Sequence, residues 1–156
     1  MTDILEKVSK KLHENNLSLV SAESCTGGWV AKQLTDLAGS SAIFDRGFIT
    51  YSNQAKQDML GVSLETLDNF GAVSEQVVIE MVEGALANSQ ADIALSISGI
   101  AGPDGGTVEK PIGTVCFGWM KRGEKALAKT VLIEGDRDKV RKQAVNISLT
   151  EIIKLI

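Results

Sequence analysis

A chain of 156 residues is the size of one compact domain with a real core, so a single domain over 1–156 is expected. Its 44% apolar and 23% charged residues are those of an ordinary globular protein. A net charge of −4 and a pI near 5.0 argue against a nucleic-acid partner, which needs a basic face, while leaving room for a small anion in a local basic pocket.

In chain order, Asp3 to about Asn15 reads as a helix, with Asp3 and Glu6 at capping-box spacing and Ile4, Leu5, Val8 and Leu12 on one apolar face. Its acidic opening, Met1-Thr2-Asp3, is unlike a secretory signal. Leu17 to Glu23 reads as a strand, and Thr26 to Ala38 as a helix ended by Gly39 at the C′ position. Ile43 to Tyr51 is a strand, Asn53 to Leu60 a short helix ended by Gly61, and Leu64 to Asn69 a helical piece. Ser74 caps a helix running to about Asn88, and Ile93 to Ser98 is a short apolar strand. Gly99 to Pro111 is a loop that holds both prolines. Thr114 to Met120 and Ala126 to Ile133 form an antiparallel hairpin, and Asp136 opens the last helix. Strands separated by helices predict a layered α/β fold, and the hairpin makes its sheet mixed.

Several chemistries are excluded or narrowed by count. Cys25 and Cys116 are far apart and belong to no disulfide framework, which suits free thiols and a cytoplasmic location. The single histidine, His13, lies in a predicted surface helix, so neither a Ser-His-Asp triad nor a zinc site is expected. No apolar run approaches the about 18 residues of a membrane span, so no membrane partner is expected.

Ala22-Glu23-Ser24-Cys25-Thr26-Gly27-Gly28 sits where the first strand hands over to a helix, the place where α/β proteins bind ligands. Ser24 is a candidate nucleophile there, with backbone N–H groups around Thr26–Gly28 as oxyanion donors. The plainer alternative is a helix cap made by Ser24 or Thr26. Cys25 is a rival nucleophile, but strand alternation points it away from Ser24 and into the interior. Without a histidine, the base is a lysine, a tyrosine or a carboxylate such as Glu23. The polar cluster Tyr51-Ser52-Asn53-Gln54-Ala55-Lys56 ends the next strand. If the two strands are parallel, Tyr51 and Lys56 reach the same sheet edge as Ser24. Lys56 is a base only when neutral, and by default it is a solvated helix residue.

Ser98, at the end of the third strand, is placed to hydrogen-bond such a dyad or a substrate, and the glycines after it, Gly102 among them, can line a pocket. That loop can equally be a plain surface turn. Arg137 and Arg141 lie four apart near the start of the last helix, placed either to hold a phosphate or to pair with carboxylates. Trp29, Phe44, Trp119, Ile152, Ile153 and Ile156 are apolar beyond a single helix stripe, which leaves a core or a self-association patch, and a homo-oligomer is possible.

Six segments in order resemble the C-terminal domain of the CinA (competence/damage-inducible) family: Ala22–Gly28, Gly47–Asn53 with Lys56, Gly71–Ser74, Ser98–Pro103, Lys110–Val115 and Gly135–Arg137. The resemblance covers essentially the whole chain. It implies a three-layer α/β/α sandwich and an amidohydrolase acting on nicotinamide mononucleotide, giving nicotinate mononucleotide and ammonia. It implies a serine–lysine mechanism with no metal and no organic cofactor. Carried onto this chain, Ser24 is the nucleophile, Lys56 its base, Tyr51 an assistant and Ser98 a hydroxyl where relatives carry threonine. Thr26, Gly27, Gly28, Asn53, Gly102, Arg137 and Arg141 are the substrate-binding candidates. The molybdopterin-binding-like domain of full CinA proteins has no counterpart here, so none of its activity is expected. Two other functions remain open: a silent nucleotide-binding or regulatory module of the same fold, and an amidase for another small carboxamide.

Overall fold

The structure, a computed structural model, describes residues 1–156. The helices are α1 (Thr2–Glu14), α2 (Trp29–Thr35), α3 (Asn53–Leu60), α4 (Leu64–Phe70), α5 (Glu75–Ala87) and α6 (Arg137–Leu155). The strands are β1 (Leu19–Glu23), β2 (Phe44–Ile49), β3 (Ile93–Gly99), β4 (Thr114–Lys121) and β5 (Leu127–Leu132). They form one sheet in the order β2-β1-β3-β4-β5. β1 pairs parallel with both β2 and β3, and β3–β4 and β4–β5 are antiparallel, so only β4 runs against the rest.

Period-two alternation divides the core between the two faces of this sheet. Leu19, Ile93, Leu95, Ile97, Val115 and Phe117 face a layer made by α1, α2 and α6. Val20, Ala22, Ala94 and Cys116 face a layer made by α3, α4 and α5. The fold is therefore the expected α/β/α sandwich with a mixed sheet. β1 is buried at all five positions because it is central and covered on both sides, whereas β2 and β5 are exposed edges. No helix is long and apolar enough to cross a membrane.

Three local expectations are corrected. The N-cap of α1 is Met1 with no side-chain cap, and Asp3 instead pairs with Lys7 one turn on. α2 begins at Trp29, since Gly27 and Gly28 adopt left-handed backbone (φ 58° and 98°) that interrupts a helix begun at Thr26. Gly39 opens a short 3₁₀ turn, Ser40–Ala42, instead of closing α2. Of the two readings for the additional apolar residues, core or self-association patch, the structure shows them in or packed against the core. Trp119 and Ile152 are buried, with Trp119 stacked on Phe117 and its indole N–H donating to the Ser148 carbonyl, and Trp29, Phe44, Ile153 and Ile156 pack against the same cluster.

The topology has one consequence for function. The chain leaves β1 for β2 on one side and later returns to β3 on the other, so β1 is a switch point where ligands of α/β folds gather at the strands' carboxyl ends. The registers Glu23↔Ile49 and Glu23↔Ile97 align those ends. Ser24, Thr50 and Ser98 thus emerge side by side.

Candidate active site

Ser24 follows the last residue of β1 and is fixed by its own backbone, whose N–H donates to the Ile97 carbonyl at 3.0 Å. Alternation turns its side chain toward the layer of α3 to α5. Lys56 arrives from that layer. Ser52 caps α3 by accepting from the Ala55 N–H, and Gly61 closes the helix with φ 68°. Between these caps, Lys56 and Leu60 share the inward face and are both buried. Lys56 is 1% exposed, so it is not the solvated helix residue that composition alone favours.

Lys56 Nζ lies 3.0 Å from Ser24 Oγ, 2.8 Å from the Thr50 carbonyl oxygen and 3.5 Å from that of Tyr51. No carboxylate forms an ion pair with it. Burial without a counter-charge lowers its pKa, because desolvation penalises the ammonium and not the amine. A neutral amine has two hydrogens and one lone pair. The two carbonyls accept the hydrogens, which leaves the lone pair to the Ser24 hydroxyl.

Glu23, the carboxylate alternative for the base, points to the opposite face of β1. It is buried and accepts from Thr26 Oγ1 (2.7 Å), the Val30 N–H (2.9 Å), the Ala31 N–H (3.1 Å) and, at longer range, Ser21 Oγ. It is the acceptor that satisfies the first turn of α2, a role the sequence leaves to Ser24 or Thr26. An acidic residue closing an otherwise buried strand is the signal that marks it. Replacing Glu23 with Ala orphans a buried hydroxyl and two helix N–H groups, and is expected to cost roughly 2–4 kcal/mol in urea unfolding. Glu23→Gln keeps one acceptor oxygen and is expected to cost less.

Cys25 points into the core with α2 and α6, as alternation requires. Burial pushes its thiol up to about 11, so it is protonated and a poor nucleophile at neutral pH.

A cavity of about 240 Å³ opens beside the Ser24–Lys56 contact, lined also by Tyr51, Asn53, Ser98 and Arg137. These are site candidates from four separate stretches of the chain. Ser98 Oγ donates to the Ala72 carbonyl at 2.8 Å and so holds the segment before α5 as one wall. Arg137 crosses the mouth, donating from Nη1 to the Gly102 carbonyl (2.8 Å) and from Nη2 to Tyr51 Oη (3.1 Å). Gly102 thus enters through its carbonyl. Tyr51 lies beyond the end of β2 and is 62% exposed, so it is not an ordinary strand aromatic.

The remaining candidates do not join this cavity. Thr26, Gly27, Gly28 and Arg141 line a neighbouring one of about 460 Å³, with Trp29 and Lys32. The Gly27 N–H is already given to the Ser24 carbonyl at 3.1 Å, which removes it as an oxyanion donor. Arg137 and Arg141, although four apart on α6, therefore serve two different places. Neither is ion-paired, since both donate to neutral oxygens.

The arrangement sets a serine hydroxyl against a buried amine, beside a small pocket with one guanidinium at its rim. Comparisons with known proteins agree over the full length. The profile of the CinA C-terminal domain family matches residues 1–156. The chain is 53% identical over 149 residues to the nicotinamide-nucleotide amidohydrolase PncC of Escherichia coli K12, covering 96% of this chain and 90% of that protein. It is 51% identical to the like-named protein of Enterobacter agglomerans, covering 93% and 95%. Among solved structures, the competence/damage inducible protein CihA of Agrobacterium tumefaciens superposes with a TM-score of 0.93 at 44% identity, covering 98% of this chain and 95% of that one.

Proposed function

The chain belongs to the CinA C-terminal domain family, and from that membership and the buried Ser24–Lys56 contact we propose that it is an amidohydrolase. Its substrate in this reading is nicotinamide mononucleotide, and its products are nicotinate mononucleotide and ammonia. The observation that carries the reading is the 3.0 Å approach of an unpaired, desolvated lysine to a serine at a strand terminus. The names of the PncC relatives, which specify a nicotinamide nucleotide, support that substrate class.

The steps follow from the contacts. Ser24 Oγ attacks the carboxamide carbon as its proton passes to Lys56 Nζ. The carbonyl oxygen becomes an oxyanion, held by the N–H groups just after Ser24. The C–N bond breaks as Lys56 returns the proton to nitrogen, releasing ammonia and leaving an acyl ester on Ser24. Water then attacks the ester with Lys56 again as base, which frees the carboxylate and restores the serine. The pocket of about 240 Å³ is below the ~300–1,000 Å³ of most small-ligand sites, which suits the pyridine ring and its amide with the ribose phosphate extending outward. Arg137, charged and unpaired at the mouth, is the phosphate ligand in this arrangement, with Tyr51 and Asn53 beside it. Tyr51 holds Arg137 through its hydroxyl, and Ser98 shapes the wall. The residues act as one domain, and two free buried thiols suit a cytoplasmic location.

The test is ammonia release from nicotinamide mononucleotide, nicotinamide riboside, nicotinamide and NAD. Turnover of the mononucleotide well above the riboside is expected, because only the former carries the phosphate. Equal rates on the two overturn the phosphate assignment. Binding without ammonia from any of the four overturns the enzyme reading in favour of a nucleotide-binding module.

A further inference from the structure

Arg141 lies outside the Ser24–Lys56 cavity, yet its two bonds fall on the peptide groups that follow Ser24. Nε donates to the Cys25 carbonyl at 2.9 Å and Nη2 to the Thr26 carbonyl at 3.2 Å. Its guanidinium lies 5.3 Å over the Trp29 ring, which fixes the fork in place, and it pairs with no carboxylate.

Each carbonyl belongs to a peptide that also carries an N–H. The Cys25 carbonyl shares its peptide with the Thr26 N–H, so a cation on that oxygen makes this N–H a stronger donor. The Thr26 carbonyl shares its peptide with the Gly27 N–H, which donates to the Ser24 carbonyl at 3.1 Å. The Ser24 carbonyl in turn shares its peptide with the Cys25 N–H. A charge at Arg141 therefore polarises the Thr26 N–H directly and the Cys25 N–H through one relay, since hydrogen-bonded peptides strengthen one another in sequence. Neither N–H donates to any backbone carbonyl. They are the first two N–H groups after the proposed nucleophile, the second of them in the turn pinned by Glu23.

We propose that Arg141 is a positioning residue that orients and polarises the Cys25 and Thr26 N–H groups as the oxyanion donors of Ser24. Arg137 and Arg141 thereby divide one face of α6, with the first toward ligand and the second toward the turn that carries the nucleophile. The assignment rests on Ser24 being that nucleophile, and it is independent of which carboxamide is hydrolysed.

The experiment uses a small fluorophosphonate, whose phosphorus takes the Ser24 oxygen as fluoride leaves and whose phosphoryl oxygen draws on the same N–H donors. Labelling is followed by intact mass in the wild type, Arg141→Met, Arg141→Lys and, as the blank, Ser24→Ala. Arg141→Met is expected to lower the labelling rate constant roughly 10–100-fold, less than the ~10²–10³ for loss of a whole oxyanion donor. Arg141→Lys, a point cation without the fork, should fall between. The final labelled fraction should be unchanged in both. Ammonia release should show the same loss in kcat with little change in KM. Wild-type labelling rate in Arg141→Met overturns the assignment, as does a lower labelled fraction at an unchanged rate constant, which is the mark of a merely structural arginine. Labelled wild type that releases no ammonia from nicotinamide mononucleotide refutes the substrate reading and leaves the Arg141 result standing. Wild type that resists labelling at Ser24 overturns both.

Discussion

Ser24→Ala is expected to reduce ammonia release by at least ~10³-fold while the protein keeps its fold. Serine nucleophiles act as a unit with their base, so removing either partner forfeits nearly the whole of the covalent route. The fold is spared because the Ser24 side chain makes one bond, to Lys56, and its backbone bonds to Ile97 and Gly27 do not depend on the hydroxyl. The contrast is Cys25→Ser, which changes a protonated core thiol beside the nucleophile and should leave the rate within a few-fold. The measurement is steady-state ammonia release with thermal unfolding as the control. Undiminished activity in Ser24→Ala would falsify the serine mechanism.

Lys56→Met is the second large effect, and it acts in two directions. Activity should fall as far as in Ser24→Ala, because no other base lies within reach of the hydroxyl. Stability should rise. Burial lowers the folded-state pKa of Lys56 below the ~10.4 of an unfolded lysine. Between those two values the unfolded chain holds a proton that the folded chain lacks, so stability increases with pH across that window and levels off above about 10.4. Below the lowered value, both states carry the proton and the folded one bears a desolvated, unpaired ammonium. Methionine fills the same volume and has no charge to desolvate. It should raise the melting temperature by several degrees near neutral pH, where 1 kcal/mol corresponds to about 2–4 °C in a domain this size. It should also abolish the rise of stability toward alkaline pH. Wild-type activity should climb with pH through the lowered pKa of Lys56, since only the amine accepts the serine proton. Melting curves of both proteins across the pH range, with the rate profile of the wild type, decide it. A flat wild-type rate profile together with a destabilised Lys56→Met argues for a structural lysine.

Much of this was legible from residue order. The caps at Ser74 and Asp136 sit where their residue types put them, each accepting from the N–H three residues on. The helix over Asn53–Leu60 has the limits that Ser52 and Gly61 impose. Lys56 itself left a trace, being four residues before the buried Leu60 and so on the face that should be apolar. Other features left none. Gly84 lies inside α5, where a Cβ would collide with the Leu60 carbonyl, so its absence lets α3, and Lys56 with it, dock closely on α5. Arg137 and Arg141 read as an equivalent pair, but they part because Gly102 and the Cys25–Thr26 turn lie at different heights along α6.

By itself the sequence determined the layered α/β fold and the ordered motifs that carry the family resemblance, Ser24 and Lys56 among them. Those rest on local patterns, namely periodicity, caps and short ordered motifs, and local patterns survive without knowledge of neighbours. Only the tertiary structure decided that Lys56 and not Glu23 meets Ser24, that burial without a counter-charge depresses that lysine, and that Arg141 holds the turn after Ser24 while Arg137 faces the pocket. Each depends on which face of β1 a side chain takes and on which strand lies beside it. Contacts between residues tens of positions apart fix those choices, and no window along the chain contains them.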